Sequence, residues 1–229
     1  KCTRNRKFCA VEHEKAPPPP DPNEPGSVAI AAEKLGLKYV VVTSVTRDDL
    51  PDKGAGQFAS VICEIRKRIP SIKVEVLTPD FEGIEKLVEK VISELPDVFN
   101  HNLETVERLT PEIRSGADYS RSLSVLRMAH KLSNGKVKVK SGLMAGLGET
   151  DEELKKTILD IRETGAEILT IGQYLPPNKD SRVLERYLEP AIFSELKFFA
   201  LSSGFKSVAS GPLVRSSYEA DTTYNEVKN

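Results

Sequence analysis

The sequence predicts an α/β fold in which helices cover a parallel sheet. Three observations predict it. Strand-like and helix-like segments alternate along most of the 229 residues, at a spacing of about thirty. The strand segments are continuous apolar runs such as Tyr39-Val40-Val41-Val42, the pattern of strands covered on both sides. The segments between them repeat apolar residues at helical spacing, most clearly at Ile84, Leu87, Val88, Val91, Ile92 and Leu95. Parallel strands joined by crossover helices close into a full or partial (β/α) barrel or lie open as a doubly wound sheet. Periodicity alone does not choose between them. The length suits a single domain with a sizeable core.

The elements follow in order. Residues 16–22 read Ala-Pro-Pro-Pro-Pro-Asp-Pro, which excludes helix and inner strand and predicts an extended connector. Ser27 is placed to cap a helix that stops at Gly36. Strand is expected over 38–45, helix over 55–69 up to Pro70, strand over 72–77, helix over 84–95 and a short strand over 97–101. Helix follows near 120–132 and strand over 137–144. Thr150 and Glu153 make a capping-box pattern for a helix reaching Glu163. Strand over 166–172, helix over 191–203 and strand over 205–209 complete the series. From Gly211 onward the chain is polar and aperiodic, the composition of a terminal tail.

Composition narrows the function. With 33 basic and 34 acidic residues, the net charge of −1 gives no basic excess for nucleic acid or an anionic membrane. No apolar run is long enough to span a bilayer. Three cysteines, an odd number in an α/β pattern, argue against a disulfide scaffold and for a reducing compartment.

In a parallel α/β fold the site forms at the carboxyl ends of the strands. Here those ends are unusually polar. The first continues as Thr43-Ser44-Val45-Thr46-Arg47-Asp48-Asp49 and the third as Asn100-His101-Asn102-Leu103-Glu104. The fourth runs from Lys140 through Gly142 and Gly146 to Glu149, and the fifth ends in Gly172-Gln173-Tyr174. Each alone has a plain structural reading: a solvated loop, a satisfied histidine, a glycine in a tight turn. Their shared position on one rim predicts a polar pocket on an apolar barrel. Ahead of them, Cys2-Thr3-Arg4-Asn5-Arg6-Lys7-Phe8-Cys9 nearly fits Cys-x3-Cys-x2-Cys, with Arg6 at the middle position. Three thiolates so spaced can hold three irons of a [4Fe–4S] cluster and leave the fourth open.

Taken together, residues 2–9, 40–55, 96–106, 140–150, 172–177 and 211–221 resemble lipoyl synthase over essentially the whole chain. The most specific stretch is Gly211-Pro212-Leu213-Val214-Arg215-Ser216-Ser217-Tyr218. The resemblance implies a partial (β/α) barrel of the radical S-adenosylmethionine class with a carboxyl-terminal extension, forming one domain over residues 1–229. It implies insertion of sulfur at the sixth and eighth carbons of an octanoyl chain on a lysine of a lipoyl carrier protein or lipoyl domain. It further implies S-adenosylmethionine, two [4Fe–4S] clusters, an electron donor such as ferredoxin or flavodoxin, and a cytoplasmic or mitochondrial-matrix location, with neither nucleic acid nor membrane as partner.

By the same resemblance, Cys2 and Cys9 are cluster ligands and Ser217 is a ligand of the auxiliary cluster beside Arg215. Thr43, Ser44, Asn100, Asn102, Glu104, Lys140, Gly142, Gly146, Glu149 and Gln173 contact the cofactor. The family's auxiliary-cluster cysteines and first barrel strand lie upstream of this loop, so the chain is expected to be truncated at its start. Arg6 is expected to impair the chemistry, because a guanidinium offers only donors and cannot replace a thiolate. Cys63 matches no family ligand and reads as a core residue. Three other readings stand beside this one: a different sulfur-inserting radical enzyme of the biotin-synthase kind, an inactive barrel that binds the cofactor or the carrier protein without chemistry, and a plain α/β barrel enzyme with no metal, for which His101 near Glu104 is the best acid–base pair.

Overall fold

The computed structural model describes residues 1–228. Six parallel strands form one sheet in sequential order: β1 (Tyr39–Thr43), β2 (Lys73–Leu77), β3 (Val98–Asn100), β4 (Lys138–Ala145), β5 (Ile168–Gln173) and β6 (Ser207–Gly211). A doubly wound sheet needs a reversal of strand order, and none occurs, so the barrel alternative is the one realised. The helices are α1 (Glu24–Lys34), α2 (Ala55–Arg68), α3 (Glu85–Ile92), the single turn α4 (Thr110–Ile113), α5 (Tyr119–Ser133), α6 (Asp151–Glu163), α7 (Pro190–Ser202) and α8 (Ala220–Lys228). Helix α8 packs against β1 as well as β5 and β6. The sheet is therefore curled, and its open seam lies between its first and last strands.

The sequence places most elements within a residue or two of where they lie. The capping box of α6 is present in full, with Thr150 Oγ1 accepting from the Glu153 N–H and Glu153 accepting from the Thr150 N–H. Helix α1 differs. It starts at Glu24, with Pro25 in its first turn, so Ser27 lies inside the helix and does not cap it. Proline lacks only an N–H that a first turn leaves unpaired anyway, so it favours the earlier start. Cys63 is half-buried on α2 and not in the core.

The apolar core lies between the outer face of the sheet and the helices, with Phe58, Ile62, Val74, Phe99, Val139, Ile158 and Ile171 all buried in it. The inner face is polar. There Tyr39 Oη donates to Glu75 (2.8 Å), Asn100 Nδ2 donates to Glu75 (3.1 Å) and Lys140 Nζ pairs with Glu75 at 2.9 Å. Burial and the Glu75 carboxylate push the Tyr39 phenol well above the usual range, so it stays a donor. Helix α8 closes the lower end of the lumen. Tyr224 Oη donates to Asp97 (3.3 Å), its ring lies 6.0 Å from that of Tyr39, and Val227 packs with Val98 and Ile168. The tail is thus a folded plug and not a frayed terminus.

Candidate functional site

The carboxyl ends of the strands converge on a mouth with two adjoining cavities. One, about 160 Å³, is lined by Asn102, Glu104, Gly142, Thr170, Arg215 and Ser216. The other, about 70 Å³, is lined by Arg6, Thr43, Ser44, Thr46, His101 and Arg114, and shares Asn102 and Glu104 with the first. Asn102 stands between them. Its Nδ2 donates to Glu104 Oε1 (3.2 Å) and to Ser216 Oγ (2.6 Å), while its buried Oδ1 has no partner.

Glu104 is held in a left-handed backbone conformation (φ 66°), strain of order 1–3 kcal/mol for a residue with a Cβ. The structure fixes it there through β4: the Glu104 N–H donates to the Gly142 carbonyl (3.0 Å), and the Met144 N–H donates to the Glu104 carbonyl (2.8 Å). Burial pushes its carboxyl up, and the Arg114 and Arg6 guanidinia only partly offset that.

Two glycines make the convergence possible. A Cβ on Gly142 would lie 2.7 Å from Thr170 Oγ1 and 2.8 Å from Asn102 Oδ1, so glycine leaves room for the Asn102 amide. A Cβ on Gly172 would meet the Val214 carbonyl at 2.1 Å. Only a bare backbone at 172 lets residues 214–216 cross the mouth and bring Ser216 to Asn102.

The structure sorts the residues the sequence singled out. Thr43, Ser44, Asn102, Glu104, Gly142 and Arg215 line the mouth. Asn100 and Lys140 sit one layer beneath it, committed to Glu75. Gly146, Glu149 and Gln173 form a backbone latch beside it. The Glu149 carboxylate accepts from the Gly146 and Leu147 N–H groups (2.6 and 2.9 Å). Gln173 donates to the Ala145 and Arg186 carbonyls (3.0 and 3.2 Å) and accepts from the Leu188 N–H (3.0 Å). Ser217 is exposed and lines a different cavity of about 570 Å³, with Lys38, Tyr39 and Lys73. The serine facing Asn102 is its neighbour, Ser216.

Sequence reasoning did not single out Ser216, Thr170 or Arg114. Ser216 carried a usable signal, since it shares its motif with Ser217. Thr170 lies inside an ordinary strand. Arg114, in a loop, reads as a solvent-facing charge.

The cysteine loop is fixed by charge. The Arg4 guanidinium, almost fully buried, bridges Asp48 (2.7 Å) and Asp80 (2.7 Å), and Asp80 also takes Arg121 (2.9 Å). These ion pairs tie the loop to the ends of β1 and β2. Its donor set does not fit a three-thiolate cluster. Cys2 is buried with its Sγ accepting from the Arg4 N–H (3.5 Å), and Cys9 is exposed with its Sγ accepting from the Val11 N–H (3.5 Å). Arg6, between them in sequence, donates from its guanidinium to Thr46 Oγ1 (3.2 Å). Among the described residues no three His, Cys, Asp or Glu side chains group as a metal site. No helix among them is long and apolar enough to cross a membrane.

His101 is the buried imidazole of the mouth. Its Nδ1 lies 2.9 Å from the Thr78 carbonyl, so Nδ1 carries the hydrogen. Burial, with Arg114 nearby, pushes its pKa down from 6.5 to about 4. The unfolded chain thus binds a proton below 6.5 that the folded chain refuses until about 4. Stability contributed by neutral His101 is complete above that window and falls with pH through it, by up to about 3 kcal/mol. Chemical denaturation of the parent and of His101→Gln at both ends of the window checks this: the variant should lose less stability on acidification. An identical loss in both chains would refute the assignment.

Comparison with known proteins bears on the family and the fold. The Radical SAM superfamily profile matches residues 1–161. The lipoyl synthase of Caldicellulosiruptor saccharolyticus is 54% identical over 222 residues, which cover 97% of this chain and 77% of that protein. The lipoyl synthase of Pasteurella multocida is 51% identical over 221 residues, covering 96% and 68%. Among solved structures, methylornithine synthase superposes with a TM-score of 0.67 at 13% identity, covering 94% of this chain and 70% of that one. Coproporphyrinogen III oxidase from Escherichia coli, described as a radical SAM enzyme, superposes with a TM-score of 0.64 at 14% identity, covering 96% and 56%. These two distant likenesses concern the fold alone.

Proposed function

This chain belongs to the lipoyl synthase family of the Radical SAM superfamily, and from that premise we propose that its mouth serves sulfur insertion at the sixth and eighth carbons of an octanoyl chain carried on a lysine of a lipoyl carrier protein. Membership implies an enzyme that uses S-adenosylmethionine and a [4Fe–4S] cluster. The observation carrying the proposal is the meeting of Asn102, Glu104, Gly142 and Ser216 at one cavity, from two neighbouring strands and a tail far apart in sequence.

The residues divide by chemistry. The Asn102 amide and Glu104 carboxylate offer hydrogen bonds to a polar ligand, and Gly142 gives close backbone approach. Arg215 and Ser216 line the cavity from the tail. Thr43 and Ser44 supply hydroxyls at the adjoining cavity. A second, auxiliary cluster with Ser217 as a ligand, a flavodoxin or ferredoxin as electron donor, and a cytoplasmic or mitochondrial-matrix location complete the reading. Nucleic acid and membrane have no part in it.

Arg6 impairs this copy. A guanidinium donates hydrogen bonds and does not bind iron. The test compares the chain with its Arg6→Cys variant after anaerobic reconstitution with iron and sulfide. The readouts are iron per chain and 5′-deoxyadenosine formed from S-adenosylmethionine with a strong reductant. A gain of both in Arg6→Cys alone supports the reading and marks Arg6 as the lesion. Equal cofactor cleavage by both chains would show that Arg6 is tolerated. Failure of both would remove the mechanistic support. Arg6 also favours a second reading, a barrel that binds octanoylated carrier protein without chemistry. Retained binding by an iron-free preparation, with no cleavage in either chain, would select it.

A further inference from the structure

The rim of the barrel is not uniform. Among the described residues, its exposed large apolar side chains gather in one sector. Leu175, Val183 and Tyr187 lie in the loop after β5, and Leu213 and Tyr218 in the segment after β6. The loops after β1, β2, β3 and β4 show only Ile84, at the start of α3. Strands β5 and β6 pair up to Gly172 and Gly211, so the two apolar segments leave the sheet side by side. Val183, Tyr187 and Leu213 are 71%, 73% and 77% exposed. Large apolar side chains this bare, gathered in one place, mark an interaction surface, and tyrosine is a residue that interfaces favour.

The loop after β5 is a fixed strap. The Arg182 N–H donates to the Lys7 carbonyl (2.8 Å), the Glu185 N–H to the Gly146 carbonyl (3.0 Å) and the Leu188 N–H to the Gln173 side chain (3.0 Å). Buried Tyr174 donates from Oη to the Arg182 carbonyl (2.7 Å). The two arginines of the strap are spent within the chain, Arg182 on Glu112 and Glu185, and Arg186 on Asp151. What Val183 and Tyr187 offer to solvent is therefore apolar area on an ordered backbone. A surface already ordered loses little freedom when a partner binds. The segment after β6 runs from exposed Leu213 to Arg215 and Ser216, which line the larger cavity of the mouth. The apolar sector is thus continuous with the mouth.

We propose that Val183 and Tyr187 of the strap, with Leu213 beside them, form the docking ledge for the folded domain that carries the octanoylated lysine. The ledge receives an uncharged, apolar surface next to that lysine. This rests on the sulfur-insertion reading. A substrate tethered through one lysine side chain brings its carrier up to the rim. Of the rim's sectors, this one joins exposed apolar area to the cavity. The ledge binds the carrier and touches none of the reacting carbons. An octanoyl-lysine on a short unfolded peptide therefore enters the mouth without using it.

The test measures binding of two probes to the full chain: an octanoylated lipoyl domain, and a short unfolded peptide bearing the same octanoyl-lysine. Val183→Ser and Tyr187→Ser, both surface changes, are checked for folding by circular dichroism. Each should bind the domain about tenfold more weakly and the peptide as the parent does. Phe198→Ser, exposed half-way along α7, is the control and should leave both affinities unchanged. Raising salt from about 0.05 to about 0.5 M should change the affinity for the domain less than about threefold, because no charge carries the contact. Parent-like binding of the domain by both variants would overturn the ledge and leave the sulfur-insertion reading standing. A steep salt dependence, an equal loss in Phe198→Ser, or an equal loss for the peptide would overturn it too. A parent dimer that Tyr187→Ser dissolves, with binding of the domain unchanged, would give the ledge to a second copy instead. No binding of the domain by the parent would remove the ledge and the sulfur-insertion reading together.

Discussion

Lys140→Met is expected to destabilise the fold by about 3–5 kcal/mol, the usual cost of stranding one partner of a buried ion pair. Lys140 and Glu75 are both fully buried on the inner face of the sheet, 2.9 Å apart. With the ammonium gone, Glu75 keeps two neutral donors, the Tyr39 hydroxyl and the Asn100 amide. Those do not replace a full charge. Equilibrium denaturation of Lys140→Met, Glu75→Gln and the double variant decides the matter. The double variant should be more stable than the sum of the single losses predicts, because neither charge is left alone. Additive losses would mean the pair acts only as packing. The residue also matters above its own layer. Asn100 shares Glu75 with it and opens the segment that carries Asn102 and Glu104, so loss of the pair should loosen the mouth as well.

Arg4→Met is expected to cost about 3 kcal/mol and to release the cysteine loop. Arg4 ties that loop to the ends of β1 and β2 through four hydrogen bonds to Asp48 and Asp80. Burial pushes the Asp80 carboxyl up, but the Arg4 guanidinium wins and holds it well below the usual carboxylate range. A carboxylate with a lowered pKa stabilises fully above its unfolded value, and that contribution fades as pH falls through its folded value. In Arg4→Met the acid-dependent part should shrink, leaving only what Arg121 supplies. Hydrogen exchange should report the loop directly, through faster exchange at Cys2 and Thr3, whose N–H groups donate to the Glu12 and Thr46 carbonyls. Unchanged exchange there would show that the backbone bonds suffice without Arg4.

The sequence by itself determined the alternation of elements, and with it the fold class. Apolar runs and helical spacing are local, and most of the segments they mark are buried; the run in β1 is only half-buried, because β1 is the edge strand at the open seam. The capping box at Thr150 is local for the same reason and appears as read. It also determined the most important chemical fact about the site, that position 6 is arginine, because no fold turns a guanidinium into a thiolate. Much of the mouth was legible through motif: Thr43, Ser44, Asn102, Glu104 and Gly142 all reach it.

Only the tertiary structure decided which members of those motifs face the cavity. Asn100 and Asn102 both point to the inner side, yet one is taken by Glu75 beneath the mouth and the other opens onto it. Depth in a barrel is not written in a strand's sequence. The choice of Ser216 over Ser217 depends on how residues 214–216 cross Gly172, a contact between segments some forty residues apart. Arg114 had no local signal at all, since its burial comes from α5 and the Asn102 backbone closing around it. The tail reads as polar and aperiodic, yet it forms the plug of the lumen. Its apolar contacts, Tyr224 and Val227, are too few to show a period and gain meaning only when the sheet curls to meet them.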